Sequence, residues 1–468
     1  MKVEQLYTNC LSEAAYFVYD GSEAAVIDPL RDIEAYLKLA REHNVTIKYI
    51  FETHFHADFV SGHLELAKAT GAPIVYGPDA HPEFDFLPAA DGQEFTIGNA
   101  VMTAVHTPGH TLESTCYLLK DEKGEPYCIF TGDTLFVGDV GRPDLFSGNL
   151  TKEELAAKMY DSLNNKIKTL PDHVIVYPAH GPGSACGKSL GKETFSTIGV
   201  QKQTNYALQD QTKEDFIKAV TEGLSTPPVY FPINASINAR GYEPLLDFKS
   251  SALTPVEVEA FDRMRRDGIY ILDTRPSSVF TQGFVPGSVS VGLDGRFAEW
   301  AGSIVPFDQE ILLVTEPGKE EESVVRLSRV GLDKVKGYLA GGFEAWQAAG
   351  KPIDIIIDVE PDELAMDIKF DDNLEVIDVR KANEYEQGHI AGAKLLPLSD
   401  LVNPLTMSQV NDEANVYVHC AGGYRSVIAC SLMKKEGFNN IRNVLGGYGK
   451  IKDIQDMPLE APKKAPGR

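Results

Sequence analysis

Thr53-His54-Phe55-His56-Ala57-Asp58 follows directly after Ile47-Lys48-Tyr49-Ile50-Phe51, a run rich in apolar and aromatic residues. Such a run has the composition of a short β-strand. Imidazole nitrogens and carboxylate oxygens are good ligands for transition metals. The stretch therefore predicts a metal site at the end of this strand.

Three further segments repeat the arrangement of an apolar run that ends in His or Asp. They are Thr107-Pro108-Gly109-His110, Thr131-Gly132-Asp133 and Pro178-Ala179-His180. Four strands that deliver such side chains to one edge of a sheet predict a shared site rather than isolated turn caps. Two His and one carboxylate form the facial triad of non-haem Fe(II) enzymes, but zinc accepts the same ligands. The ligand types alone leave the metal open.

Bulk properties narrow the class of protein. A chain of 468 residues is too long for one core, so two to four domains are expected. A net charge of −24 argues against nucleic acid and anionic membranes as partners, and no apolar run has the length needed to cross a bilayer. The six Cys lack a CxxC pair and the N-terminus does not resemble a signal peptide, which favours the cytoplasm.

The second half of the chain repeats itself. Ile271-Leu272-Asp273-Thr274-Arg275 matches Val376-Ile377-Asp378-Val379-Arg380 at an offset of 105 residues, and later segments keep this offset. A period this long indicates duplicated domains rather than a solenoid. Each copy alternates strand and helix patterns, which predicts a mainly parallel α/β sheet. The predicted domains are 1–245, 252–352 and 358–462, followed by a short disordered tail, Pro462 to Arg468.

Local patterns predict individual elements. Ala24 to Ile27 is expected to form a strand, whereas Val60 to Ala69 and Glu153 to Lys168 are expected to form helices. The stretch from Thr226 to Pro232 contains three Pro, which argues against regular helix or central strand. We expect that stretch to be a loop.

The second copy contains a Cys in a loop suited to sulfur chemistry. A predicted strand, Val416 to His419, leads into Cys420-Ala421-Gly422-Gly423-Tyr424-Arg425 and then into a predicted helix over 426–436. The N–H groups of such a loop and the N-terminus of the helix stabilise a sulfur anion. Arg425 adds a charged donor, so Cys420 and Arg425 are the candidate catalytic residues.

The first copy differs at the corresponding loop. Thr315 is followed there by Glu316-Pro317-Gly318-Lys319-Glu320-Glu321-Glu322, which contains no Cys. Its carboxylates would repel a sulfur anion. We therefore expect 252–352 to be a non-catalytic spacer or interface domain, a role compatible with a homo-oligomer.

The four metal-binding segments resemble the metallo-β-lactamase superfamily, and both repeats resemble the rhodanese domain. The implied fold is an α/β multi-domain chain, with an αββα sandwich followed by two α/β rhodanese domains whose sheets are mainly parallel. Within the superfamily, the chain looks most similar to the persulfide dioxygenase–rhodanese fusions. That resemblance implies one Fe(II) per chain, with zinc the less favoured metal, held by His54, His110 and Asp133.

The same resemblance suggests roles for the residues around these ligands. His56, Asp58 and His180 occupy positions that serve a second metal in two-metal relatives, and here they would orient ligands and bound water. Phe59 stands where those relatives carry a His, and a phenyl ring offers no donor, which favours a single metal. A second ion would keep only Asp58, His180 and a shared Asp133.

Two further segments have two interpretations each. Gly141-Arg142-Pro143-Asp144 resembles a stretch near the thiol-substrate pocket of related enzymes. Arg142 and Asp144 either bind the substrate or form a structural ion pair. Cys186 either accepts sulfane sulfur at the mouth of the pocket or is a buried thiol.

The resemblance implies two reactions. The first oxidises a low-molecular-weight thiol persulfide, such as glutathione persulfide, with O₂ to give sulfite and the thiol. The second transfers sulfur through Cys420 and forms or consumes thiosulfate, with substrate bound by the loop residues Ala421, Gly422, Gly423 and Tyr424. A two-zinc thioester hydrolase of the glyoxalase II type and a protein that senses sulfane sulfur are the alternatives. The thiol carrier (glutathione, coenzyme A or another) and the direction of sulfur transfer stay open.

Overall fold

The computed structural model describes residues 1–145 and 150–460, so the predicted tail from Pro462 to Arg468 lies outside the described residues. Contacts divide the chain into two compact units. The first comprises Met1–Phe248 together with Val325–Leu332, and the second comprises Lys249–Val324 and Asp333–Arg468. The domain boundaries near 245, 252, 352 and 358 stay predictions.

The first unit contains two six-stranded sheets. The strands of the first sheet, in spatial order, are β1 (Lys2–Thr8), β2 (Glu13–Asp20), β3 (Glu23–Ile27), β4 (Thr46–Phe51), β5 (Ile74–Tyr76) and β6 (Leu87–Pro88). The strands of the second sheet are β7 (Glu94–Ile97), β8 (Ala100–His106), β9 (Thr115–Lys120), β10 (Pro126–Gly132), β11 (Ile175–Pro178) and β12 (Ser196–Thr197), again in spatial order. The first sheet is antiparallel up to β3 and parallel beyond it. In the second sheet only β10 and β11 pair in parallel.

Helices cover the outer faces of both sheets. They are α1 (Glu34–His43) and α2 (His63–Thr70) on the first sheet, and α3 (Lys152–Ser162), α4 (Ile198–Thr204) and α5 (Lys213–Thr221) on the second. Two further helices follow in the chain, α6 (Phe231–Arg240) and α7 (Leu245–Ala252). Strand β2 shows how the layers form, because Ala14, Tyr16 and Val18 face the core between the sheets. Ala15 and Phe17 face the opposite way, into a core shared with α1 and α2. With α3 and α5 on the second sheet, the arrangement is the expected αββα sandwich.

The predicted elements of the first unit differ from the structure mainly at their ends. The strand expected over 24–27 is β3, and the run over 47–51 is β4. Helix α2 begins at His63 rather than Val60, since Ser61 N–H donates to Asn238 Oδ1 (2.9 Å) and Gly62 N–H to the Pro29 carbonyl (2.6 Å). The predicted helix over 153–168 is α3 followed by a π-helical turn, Leu163–Ile167.

The Pro-rich stretch 226–232 is only partly a loop. Its last two residues, Phe231 and Pro232, open α6, which corrects the expectation that the whole stretch is irregular. Pro is tolerated there because the first turn of a helix has no intrahelical acceptor for its N–H groups.

The second unit contains two five-stranded parallel sheets. Strands of the first copy are β13 (Pro255–Val256), β14 (Tyr270–Asp273), β15 (Val289–Ser290), β16 (Ile311–Val314) and β17 (Val335–Leu339). Strands of the second copy are β18 (Ile357–Val359), β19 (Leu374–Asp378), β20 (His389–Ile390), β21 (Lys394–Leu395), β22 (Asn415–His419), β23 (Ile441–Val444) and β24 (Leu459–Glu460). The spatial orders, β13-β17-β16-β14-β15 and β18-β23-β22-β19-β21, are the same, and β20 pairs separately with β24. Duplication and parallel sheets are thus confirmed.

The helices of the second unit lie between these strands in the chain. They are α8 (Val258–Arg266), α9 (Ser277–Phe280), α10 (Phe297–Ile304), α11 (Glu320–Ser328), α12 (Gly342–Ala348), α13 (Pro361–Phe370), α14 (Ala382–Glu386), α15 (Pro404–Met407), α16 (Tyr424–Lys435) and α17 (Gly447–Ile451). The predicted helix over 426–436 is α16, which starts two residues earlier. Across residues 1–145 and 150–460, we find no helix with the length and apolar character that a membrane crossing requires.

Candidate metal centre and thiol loop

The ends of four strands bring the predicted ligands together around Asp133. His54 follows β4, His110 follows β8, Asp133 follows β10 and His180 follows β11. His54 Nε2 lies 3.8 Å and His110 Nε2 lies 3.4 Å from Asp133 Oδ2. His180 Nε2 lies 3.4 Å from the other carboxylate oxygen, Oδ1. All of these side chains are buried.

Hydrogen bonds fix which imidazole nitrogen faces Asp133. Thr53 Oγ1 donates to Asp28 Oδ2 (2.9 Å), so it accepts from His54 Nδ1 at 2.9 Å. His110 Nδ1 donates to the Arg142 carbonyl oxygen at 2.8 Å. Each ring therefore keeps its Nε2 lone pair toward the carboxylate. An outer partner on Nδ1 is the usual arrangement of a metal-binding His.

The carboxylate of Asp133 has no hydrogen-bond partner for either oxygen within the described residues, and neither has His180 Nε2. A buried carboxylate without a partner is costly unless a cation neutralises it. Burial and the neighbouring His56, His110 and His180 hold the pKa of His54 well below its usual range, which keeps its imidazole neutral. This donor set fits a divalent transition metal, with His54, His110 and Asp133 as one group of ligands.

His56 differs from His54 and His110 because its ring lies beside two carboxylates. Its Nε2 lies 3.1 Å from Asp28 Oδ1 and 3.7 Å from Glu52 Oε2. Burial lowers the pKa of His56, but the charges of Asp28 and Glu52 outweigh burial and raise it to about 10. The ligand atoms of His56, Asp58 and His180 lie within 4.8 Å of one another, so these three side chains form a further group that could hold a metal. Phe59 packs on this ring, with centroids 4.3 Å apart, and is fully buried.

A second group of donors lies on the other side of Asp133. His180 Nε2 is 3.5 Å from Asp58 Oδ2. Ligand atoms of Asp133, His180 and Cys186 all lie within 4.8 Å of one another. Cys186 is 1 % exposed, and burial followed by the charges of Asp58 and Asp133 raises the pKa of its thiol. The structure thus places Cys186 beside the metal group.

Arg142 connects this group to His110. Its guanidinium pairs with both oxygens of Asp144, at 2.7 and 2.8 Å, and donates to the Ser225 carbonyl oxygen. Its backbone N–H donates to the Cys186 carbonyl oxygen at 2.9 Å. The Arg142–Asp144 pair is therefore present, and binding of a substrate anion by Arg142 stays a prediction.

The Cys420 loop turns a backbone N–H toward sulfur. Cys420 follows β22 and is 1 % exposed. Gly423 N–H donates to Cys420 Sγ at 3.1 Å, and Ser426 Oγ lies 3.7 Å from the same sulfur. Gly423 has φ +109°, in the region that favours glycine, so this position allows the N–H to point inward. The neighbouring Ala421 accepts from Gly449 N–H at 2.9 Å.

The last two loop residues have partners outside the loop. Arg425 forms a bidentate pair with Glu384, at 2.7 and 2.8 Å. Tyr424 Oη donates to the Gly292 carbonyl oxygen of the first copy at 2.7 Å. The first copy has Thr315 after β16, where the second has Cys420 after β22.

Three residues that shape these sites were not among the sequence candidates. They are Thr53, Asp28 and Glu384, which hold His54, Thr53 and Arg425 respectively. Asp28 did carry a signal, since it follows a buried strand directly, as Asp133 does. Glu384 lies 41 residues before Arg425, and no local pattern connects the two.

Comparisons with known proteins agree with this fold. The family model of the metallo-beta-lactamase superfamily matches residues 8–180, and that of the rhodanese-like domain matches 257–349 and 360–453. A hydroxyacylglutathione hydrolase from Rhodospirillum rubrum is 32% identical over 52% of this chain and 88% of its own length. The chain belongs to the metallo-beta-lactamase superfamily and carries two rhodanese-like domains after the metallo-beta-lactamase domain.

Two solved structures are also similar. A metallo-beta-lactamase from Staphylococcus aureus subsp. aureus COL has a TM-score of 0.66 and 31% identity, covering 72% of this chain and 99% of that one. ETHE1 from Myxococcus xanthus has a TM-score of 0.43 and 29% identity, covering 51% of this chain and 100% of that one.

Proposed function

We propose that the chain is a persulfide dioxygenase with sulfurtransferase activity. In the first reaction one persulfide, one O₂ and one water give one thiol, one sulfite and two protons. In the second reaction Cys420 takes the outer sulfur of thiosulfate and releases sulfite, or the reverse. The observation that carries the proposal is the pairing of a two-His, one-Asp metal group with a Cys420 sulfur loop in one chain.

The metal group supports a single Fe(II). His54, His110 and Asp133 would hold it, and a bound iron would supply the redox chemistry that combines persulfide with O₂. The chain's own part is to keep two neutral imidazoles aimed at one carboxylate, through Thr53 and the Arg142 carbonyl. Phe59, which offers no donor, favours iron with open positions over a symmetric metal pair.

The thiol loop supports sulfur transfer. Gly423 N–H already points at Cys420 Sγ, so the loop is organised for a charged sulfur before any substrate enters. Added backbone donors from Ala421 to Tyr424 would bind the oxygens of sulfite or thiosulfate. Arg425 would add positive charge, held in place by Glu384.

A thioester hydrolase with two zinc ions is the second candidate. The observation that favours it is the second donor group of Asp58, His180 and Asp133, together with the name of the Rhodospirillum rubrum relative. The two candidates differ in metal content and in their need for O₂. If the purified protein neither consumed O₂ with persulfide nor hydrolysed a thioester, the third interpretation, a protein that senses sulfane sulfur, would be favoured.

An oxygen-electrode assay tests the proposal. Purified protein with its own metal should consume O₂ with glutathione persulfide and release sulfite, and His110→Ala should stop both. Elemental analysis should give one iron per chain. Hydrolysis of a hydroxyacylglutathione thioester without O₂ uptake, at two zinc ions per chain, would overturn the dioxygenase and establish the hydrolase. Coenzyme A persulfide in the same assay identifies the preferred carrier.

A further inference from the structure

A chain of hydrogen bonds runs from Cys420 to the first copy. Cys420 S–H donates to Ser426 Oγ at 3.7 Å, and the Ser426 hydroxyl donates to Asn443 Oδ1 at 2.6 Å. Asn443 Nδ2 donates to Asp358 Oδ1, and Thr281 Oγ1 donates to Asp358 Oδ2, both at 2.7 Å. Thr281 follows α9 in the first copy, whereas Asp358 lies in β18, the first strand of the second copy. The chain therefore connects the sulfur with a carboxylate at the junction of the two copies.

The carboxylate sets the direction of these bonds. A carboxylate only accepts, so the Asn443 amide turns its NH₂ toward Asp358 and its oxygen toward Ser426. The Ser426 proton then points to Asn443 Oδ1, or to the Gly423 carbonyl oxygen at 3.0 Å, and away from the sulfur. The lone pairs of the Ser426 oxygen are left for Cys420 S–H. This hydroxyl therefore accepts from a thiol and does not donate to a thiolate.

We propose that Asp358 is a positioning residue for Cys420, because it fixes the Ser426 hydroxyl as an acceptor and so favours the thiol over the thiolate. The inference rests on the proposed role of Cys420 in sulfur transfer, and it gives the first copy a part in that step. Gly423 N–H, at 3.1 Å from Cys420 Sγ, acts in the opposite sense. The balance between the two contacts matters because a thiolate that forms less readily is the stronger nucleophile toward sulfane sulfur.

The chain is buried and belongs to the second copy alone. Its thiol, its two hydroxyls and its amide are each at most 2 % exposed, so water does not compete for these bonds. Strands β18 and β23 pair Asp358 with Asn443. The first copy pairs Pro255 with Tyr338, which stands 105 residues before Asn443. Pro255 offers no side-chain acceptor, so the copy that lacks the Cys cannot form this chain.

Other titratable groups also lie near Cys420. They are Arg425 with its partner Glu384, His419 and Cys430. Burial raises the pKa of the Cys430 thiol, and the charges of Asp358 and Cys420 raise it further. The charge of Asp358 therefore reaches this region through space as well, and a test has to separate that effect from the hydrogen bonds.

Alkylation of Cys420 by iodoacetamide in the full-length protein tests the proposal, because the thiolate reacts and the thiol does not. Mass spectrometry of the Cys420 peptide gives the rate at each pH. Asp358→Ala breaks the chain, so the rate on the acid side of the profile should rise about 2–10-fold, the effect of one net hydrogen bond. Asp358→Asn removes the charge but keeps the chain, since its amide can accept from Asn443 and donate to Thr281. Its profile should stay close to that of wild type.

Asp354→Ala is the matched control, because Asp354 precedes β18 and pairs with Lys434 at 3.1 Å. Its profile should follow wild type. Equal shifts in Asp358→Ala and in either Asp358→Asn or Asp354→Ala would mean that charge alone acts, and would overturn the proposal, as would an unshifted Asp358→Ala.

Ser426→Ala provides a second test if Asp358→Ala does not fold. It removes the acceptor of the thiol proton, so alkylation on the acid side should again become faster. A slower reaction would show that the hydroxyl donates to the thiolate, and would overturn the proposal. Alkylation requires neither sulfur transfer nor O₂ uptake, so this proposal and the proposed function fail separately.

Discussion

Thr53 is not one of the predicted metal ligands, but its hydroxyl sets the tautomer and orientation of the His54 imidazole. Its hydroxyl donates to Asp28 and accepts from His54 Nδ1. Thr53→Val keeps the shape but removes both bonds, so His54 can turn and its Nδ1–H loses its partner. We expect metal affinity to fall by about 10–100-fold, as for other outer partners of metal-binding His. Competition with a chromophoric chelator measures it.

Thr204→Val serves as the control for this substitution. The Thr204 hydroxyl donates to the Val200 carbonyl of its own helix, at 2.9 Å. Its loss should leave metal affinity unchanged. Equal loss of affinity in both variants would mean that the Thr53 effect is a general loss of structure.

Glu384 gives the second copy a pH-dependent contact. Burial raises the pKa of Glu384, but the hydrogen bonds and charge of Arg425 outweigh burial and hold it below its usual range. The stabilisation is therefore complete above the unfolded value, about 4.3, and is lost as pH falls through the lower folded value. Between pH about 5 and about 3, the urea midpoint of wild type should fall more than that of Glu384→Gln.

Glu386→Gln is the matched variant, since Glu386 is an exposed residue of the same helix, α14. Its midpoint should follow wild type across the pH range. If Glu384→Gln and Glu386→Gln respond alike, the Arg425 pair contributes no pH dependence.

At the scale of elements, the segment before α10 supports the loop before α16. Tyr424 reaches across to the Gly292 carbonyl, and a Cβ on Gly295 would overlap the Tyr424 ring. Gly295→Ala should therefore displace Tyr424 and the loop that carries Cys420. We expect a slower sulfur transfer from thiosulfate to a thiol, measured by sulfite release, with O₂ uptake unchanged.

A double-mutant cycle separates this clash from a loss of folding. Tyr424→Ala removes the ring that Gly295→Ala would strike, so the double variant should be no slower than Tyr424→Ala alone. Additive losses would show that Gly295 acts through some other contact.

At the scale of the whole molecule, the features that could be predicted from the sequence are those that depend on local patterns along the chain. The predicted metal ligands were visible because each follows a strand. The expectation that all four strands share one sheet edge was wrong, since β4 lies in the first sheet and β8, β10 and β11 lie in the second. The repeat was visible because its offset is constant, and the identical strand orders confirm it. Both features are patterns among residues that are close together or regularly spaced in the chain, so they can be recognised from the sequence alone.

Contacts between distant segments could not be predicted in this way. The pKa of His56 is raised because Asp28 and Glu52 both face its ring inside the sandwich, although burial alone would lower it. Cys186 joins the metal group because Arg142 holds its loop. These arrangements depend on how loops from separate strands pack, and no periodicity encodes that. Such packing decides which of several His and Cys can bind a metal.

The two proposed chemistries use residues in different compact units, His110 in the first and Cys420 in the second. Each unit has its own hydrophobic core, so a substitution in one should leave the other folded. We expect Cys420→Ser to abolish sulfur exchange between thiosulfate and a thiol while O₂ uptake with persulfide continues. His110→Ala should do the reverse. Because sulfite is a small free molecule, a mixture of the two full-length variants should again make thiosulfate from persulfide and O₂. Loss of both activities in either variant, or a mixture that makes no thiosulfate, would contradict two independent sites.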